Sequence, residues 1–170
     1  MNTAHYHLLV NHFPIILPII GLLILVGGLI FKSELIKRTA YTIFIVAAFF
    51  SMASMYTGDG AEEVVENIPG VVESSIHTHE EAAELFAILT YVLGSISIVA
   101  FWASLKEKNF AYILNYLVII FTVVVLFFAY RTGNTGGLVR HTELNGNATT
   151  TNTNTNQESG KPETEKDDDD

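Results

Sequence analysis

Residues Phe110 to Tyr130 read FAYILNYLVIIFTVVVLFFAY, a run of 21 residues without a single charge. A hydrocarbon core of ~30 Å is crossed by about 20 helical residues, so this stretch alone predicts a transmembrane helix. Three more stretches match it in length and lack of charge: Phe13 to Phe31, Thr39 to Thr57, and Leu85 to Leu105. Strands are disfavoured, because backbone groups in lipid must be satisfied within helices or a closed barrel, and four strands cannot close one. The first stretch has no basic residue before it and no clean small-x-small site after it, so it reads as a span rather than a cleaved signal peptide.

The connections set the topology. Lys32 to Arg38 joins the first pair of spans and Lys106 to Asn109 the second, and these short loops hold five of the nine basic residues. By the positive-inside rule they are expected in the cytoplasm, which puts the N-terminus, the 58–84 segment and the C-terminus outside. Short loops make neighbouring helices antiparallel. The expected fold is therefore an all-α membrane protein, an up-down-up-down bundle of four transmembrane helices over residues 1–143. The remaining 144–170, rich in Asn and Thr and ending in four aspartates, reads as a disordered acidic tail. Within it Asn147-Ala148-Thr149 matches a glycosylation acceptor, a pattern frequent by chance.

Composition removes several functions. There is no cysteine, hence no disulfide, thiolate metal site, iron–sulfur cluster or covalent haem attachment. A net charge of −9 argues against nucleic acid as a partner. No hydrolase triad, phosphate-binding loop or Glu-x-x-His pattern is present, and no charge sits at mid-membrane as transport would need. The loop side looks too sparse to hold a site.

The six histidines are His5, His7, His12, His77, His79 and His141, and all fall outside the spans or at their outer ends. With cysteine absent, imidazole is the strong ligand left for haem iron, copper or zinc, besides methionine. A helix starting near Thr3 places His5 and His12 on one face and turns His7 about 140° from His12. Pro14 frees the carbonyl of Val10 and predicts a kink there. His79 is the inward candidate before the third span, with His77 and His5 solvated. Glu80, Glu81 and Glu84 form an acidic collar read as a hydrated helix start.

The segment after the fourth span, Thr132-Gly133-Asn134-Thr135-Gly136-Gly137-Leu138-Val139-Arg140-His141, is glycine-rich and predicts a turn folding back over the bundle mouth, close enough for a flat macrocycle. Arg131 and Arg140 flank it and are placed to meet the acidic collar or haem propionates. A weak internal repeat joins these parts: His12 is echoed by His79, and the Thr57-Gly58 turn by Thr132-Gly133, at offsets of 67 and 75 residues.

The segment His7-Leu8-Leu9-Val10-Asn11-His12-Phe13-Pro14-Ile15, the Thr-Gly after the second span, His79, and Gly136-Gly137-Leu138-Val139-Arg140-His141 together resemble a family of small bacterial four-span membrane proteins with no assigned activity. The resemblance covers residues 5 to 143. Leu8 and Thr142 stand where some members have proline and glycine. It implies the bacterial cytoplasmic (inner) membrane and a b-type haem or redox role.

Three readings follow. In the first, outer-face histidines bind non-covalent haem b, with His7, His12, His79, His141, Gly58, Gly133, Gly136, Gly137, Arg131 and Arg140 as the site and His12, His79 and His141 on the iron. Such a protein is an electron carrier or accessory subunit beside respiratory or redox membrane proteins, rather than an enzyme. In the second, the same histidines with Met52 and Met55 hold copper or zinc. In the third, a cofactor-free bundle scaffolds a membrane complex through small residues such as Gly21, Gly28, Ala47 and Gly94.

Overall fold

A computed structural model describes residues 3–68 and 71–140, all helices and short connections. The order is α1 (Thr3–Val10), α2 (Phe13–Ile30), α3 (Glu34–Val65), α4 (Glu73–Leu105) and α5 (Ala111–Arg140). Four helices are long and apolar enough to cross a membrane, and the chain is a multi-pass membrane protein. Large apolar side chains point outward all around them, among them Leu23, Phe49, Ile120 and Phe127. Helices hydrophobic on every face are stable in lipid, not in water.

α2 packs on α3, α3 on α4, α4 on α5, and α5 returns to α2, closing a four-helix ring, while α1 lies on α3. The core runs along the axis through Leu25, Tyr41, Phe44, Phe86, Leu93, Val118 and Val125. Proline sets the break between α1 and α2. Pro14 has no N–H, so the ladder stops at Asn11 and restarts from the His12 carbonyl, which accepts from Ile16 at 3.0 Å.

The two hairpins are copies. The buried positions of α2 (Pro14, Pro18, Gly21, Leu25, Gly28) stand 72 residues before buried Phe86, Thr90, Leu93, Ser97 and Ala100 of α4. Those of α3 (Ala40, Phe44, Ala47, Ser51) stand 78 before buried Val118, Thr122, Val125 and Ala129 of α5. Both turns close alike. Ser33 N–H reaches Gly28 O at 2.9 Å and Lys108 N–H reaches Ala103 O at 3.0 Å, with Lys32 and Glu107 at φ 51° and 49° as the left-handed residue of a Schellman motif.

Two expectations need correction. The segments Thr57–Gly60 and Thr132–Gly137 are not turns: α3 continues to Val65 and α5 to Arg140. A helix-interior glycine costs only about 1 kcal/mol against alanine, and the packing described below outweighs it. The collar Glu80, Glu81, Glu84 lies two to three turns inside α4, which begins at Glu73. His141 and the acidic tail fall outside the described residues.

Candidate histidine site at the bundle mouth

The end of the bundle opposite the two tight turns is formed by α1, the last turns of α3, the first turns of α4 and the last turns of α5. α1 carries His7 against α3. Its Nδ1 lies 3.1 Å from the Ser54 carbonyl oxygen and 3.3 Å from Thr57 Oγ1. A Cβ on Gly58, the next residue, would sit 3.8 Å from His7 Cε1, an ordinary contact. α4 carries His79 against α5 in the same manner. Its Nδ1 lies 3.1 Å from Thr135 Oγ1. A Cβ on the following Gly136 would lie 3.0 Å from His79 Cε1, so the imidazole would have to give by a few tenths of an ångström to admit any larger residue.

At His7 the contact decides which nitrogen carries the proton: a carbonyl oxygen only accepts, so Nδ1 is the donor to Ser54 and Nε2 presents an unprotonated lone pair. Thr57 gives its hydroxyl hydrogen to the Ala53 carbonyl at 2.9 Å or the Ser54 carbonyl at 3.1 Å, and so meets the same ring with a lone pair. At His79 the Thr135 hydroxyl either gives its hydrogen to the Thr132 carbonyl at 3.0 Å and accepts from Nδ1, or donates to Nδ1. The Nδ1–H form leaves Nε2 unprotonated, the form that binds a metal.

Both rings are half-buried and lie N-terminal to the apolar stretches Phe13–Phe31 and Leu85–Leu105. Burial holds both imidazoles below the ordinary histidine pKa. The charge of His12 adds to this for His7 and that of His7 adds to it for His79, while the carbonyl contacts oppose it. The two rings thus sit near enough for a charge on one to disfavour a charge on the other. Thr132 Oγ1 donates to the Ala82 carbonyl at 2.9 Å and ties α5 to α4 just below His79. Phe13 stacks on Phe50 at 4.4 Å and does the same for α2 and α3.

The internal repeat is real, in a different register from the sequence reading. His79 pairs with His7, 72 residues earlier, not with His12; Thr135-Gly136 pairs with Thr57-Gly58, 78 residues earlier. His12 stands at the α1–α2 break, exposed, its Nδ1 3.3 Å from the Leu8 carbonyl. The break also removes the face that His5 and His12 were expected to share; His5 is exposed. His77 is solvated, as expected, 3.6 Å from Glu81. Arg131 is exposed, with Cζ 6.0 Å from the Phe128 ring, and Arg140 closes α5. Gly133 and Gly137 face open space. Met52 is exposed and Met55 half-buried. Among the described residues no group of three or more His, Asp or Glu side chains is arranged to hold a metal ion.

The sequence reading missed Ser54 and Thr135 as partners of the rings. The signal was available: Ser54-x-x-Thr57-Gly58 and Thr132-x-x-Thr135-Gly136 are one pattern written twice. The loop end, read from sequence as too sparse for a site, carries a cleft of about 400 Å³, and a cavity of about 180 Å³ lies beside Thr78 and Thr135. No protein-family model, curated protein or solved structure matches this chain.

Proposed function

We propose that the mouth binds a non-covalent b-type haem through Nε2 of His7 and Nε2 of His79, and that the protein carries electrons or serves a redox chain as an accessory subunit. The supporting observation is the pair of imidazoles held by matching Ser/Thr-x-x-Thr-Gly cradles, both with Nδ1 against a threonine hydroxyl. A haem brings four nitrogens of its own and asks the protein for two axial ligands, the number on offer. A structural zinc needs four protein ligands and a catalytic one three, and the described residues supply no such group.

The ligand atoms fit a haem better than the space does. The cavity of about 180 Å³ lined by Ser75, Thr78, Thr135 and Leu138 includes neither imidazole and is smaller than the ~300–1,000 Å³ of ordinary cofactor sites. The macrocycle in this reading needs the mouth to open. When bound, the group supplies a one-electron couple. The chain's own part is to keep both imidazoles neutral and oriented, and to leave no open coordination position for oxygen. In this reading the lysine-bearing turns face the cytoplasm and this mouth faces outward, across the bacterial inner membrane that the family resemblance implies.

The test is a reduced-minus-oxidised spectrum of the protein purified in detergent and supplied with haemin. A sharp Soret and α-band pair that His7→Ala and His79→Ala abolish, and that His12→Ala and His77→Ala retain, is the expected result. Stoichiometric copper without haem would replace this reading with the copper one, and neither cofactor would leave the scaffold.

A further inference from the structure

The loop end departs from the repeat. Where the first hairpin has Lys37, the second has Asn115, 78 residues on, and Asn115 is 4% exposed among the apolar residues that open α5. A buried amide is costly unless its hydrogen bonds are made. Tyr41, itself 1% exposed, donates its hydroxyl hydrogen to Asn115 Oδ1 and so fixes the amide. The amide nitrogen is left as a double donor without a protein partner, on a side chain that lines the cleft of about 400 Å³ between the starts of α3 and α5.

The walls add cations. Lys37, Arg38 and Lys108 line the cleft with two carboxylates, Glu34 and Glu107, leaving one positive charge over. Glu34 is already engaged: it pairs with Lys37 and accepts from Ser104 Oγ at 2.8 Å. Arg38 spends Nε and Nη2 on Ser104, at 2.9 and 2.8 Å, which leaves Nη1 uncommitted. Tyr112 and Trp102 are exposed beside the cleft, as aromatic side chains are at headgroup level.

We propose that this cleft binds a singly charged phosphate group, with the Asn115 amide at its floor and Lys37, Arg38 and Lys108 around it. One surplus charge suits a monoanion; a phosphate monoester, at about −1.5 to −2, would exceed it. A phospholipid headgroup and free dihydrogen phosphate share this chemistry. The inference is independent of the haem reading, since it concerns the other end of the bundle.

Trp102 is the only tryptophan and Lys108 Nζ lies 5.9 Å from its ring, so indole fluorescence reports on the cleft. The experiment titrates the full chain in a non-ionic detergent with short-chain phosphatidylglycerol, with the matching diacylglycerol, and with sodium phosphate. A saturable change with the phospholipid and none with diacylglycerol is expected. Asn115→Asp keeps the acceptor for Tyr41 but removes both N–H donors, and should weaken the apparent affinity at least tenfold. Lys108→Gln, on the loop, should weaken it three- to fivefold and serves if the first variant fails to fold. Saturation by millimolar phosphate alone, lost in the same variants, assigns a soluble source; a response to phospholipid alone assigns the headgroup. An unchanged midpoint in folded Asn115→Asp or in Lys108→Gln, or an equal response to diacylglycerol, overturns the proposal.

Discussion

The two hairpins agree at one end of the bundle and part company at the other. At the mouth, His7 on Thr57-Gly58 and His79 on Thr135-Gly136 repeat one contact; at the turns, Lys37 and Tyr41 have Asn115 and Ile119 as their counterparts. Between the ends the repeat holds in position but not in size. In one layer the first hairpin places Gly21 under the ring of Phe44, whereas the second places Leu93 and Thr122 at the same two positions. Each pair sums to one small and one large side chain, so the layer is filled in opposite senses. The duplication is thus kept in the closure of the turns and in the threonine contact to each imidazole, and relaxed in side-chain size between them.

The largest expected effect breaks that complementarity. A Cβ on Gly21 would lie 2.6 Å from Phe44 Cε1, on a ring with 0% exposure. Gly21→Ala should lower stability by about 1–3 kcal/mol, the usual cost of overpacking, read as a drop in Tm in detergent. Gly21→Leu combined with Phe44→Thr, which copies the second hairpin into the first, should melt above Gly21→Leu alone. If the double variant melts below both single ones, the hairpins are not equivalent in packing.

pH sharpens the comparison at the mouth. Both rings have folded pKa values below the ordinary 6.5 because burial penalises their charged form. The unfolded chain then binds more protons than the folded one below about pH 6.5, so stability falls as pH drops through that value and stops falling below the folded pKa values. Tm should decline between about pH 7 and pH 5, and His7→Gln with His79→Gln should remove most of the decline. Because the two rings oppose each other's charge, that shared term is lost with either ring, and the effects of the two single variants should sum to more than the whole decline. A flat Tm across that window in the wild-type chain would contradict neutral buried rings.

The threonine cradles come next in size. Thr135→Val and Thr57→Val keep the shape of the side chain and delete the hydroxyl that meets Nδ1. Loss of one such bond costs roughly 0.5–1.5 kcal/mol. Ring ¹⁵N shifts of labelled histidine should show a single Nδ1–H form in the wild-type protein and a mixed population in Thr135→Val. Thr57→Val should change less, since His7 also keeps the Ser54 carbonyl at 3.1 Å.

Most of the architecture was legible because lipid imposes it. Uncharged runs of about 20 residues in Phe13–Phe31 and Phe110–Tyr130 admit one reading, and five basic residues in two short loops fix how the helices alternate. The site was legible only in part. His79 and the Thr-Gly pairs stood out, but the reading paired Thr57 with Thr132 because both precede glycine, one turn away from the true partner Thr135. It also took glycine for a helix breaker. The spacing Ser/Thr-x-x-Thr-Gly carries the right register, since residues three apart share a helix face. Asn115 was hidden for a different reason: a single amide inside an apolar run gives no periodic signal, and only the fold shows Tyr41 against it.

The smallest effect separates glycines that look alike in sequence. Gly133, Gly136 and Gly137 stand within five residues on α5, yet only Gly136 faces an imidazole; the other two face open space. Gly133→Ala and Gly137→Ala should each raise stability by about 0.5–1 kcal/mol, through the helix preference of alanine and a less flexible unfolded chain. Gly136→Ala gains the same preference but drives a methyl to 3.0 Å from His79 Cε1, so the ring must tilt and the bond to Thr135 must lengthen. Its Tm should therefore fall below those of its two neighbours, and the ¹⁵N signature of His79 should shift with it. Gly58→Ala, whose Cβ would meet His7 Cε1 at an ordinary 3.8 Å, should behave like Gly133→Ala. Three Gly→Ala variants that stabilise and one that does not would map the tighter cradle onto the second hairpin, whereas equal gains at all four positions would mean that neither imidazole rests on its helix.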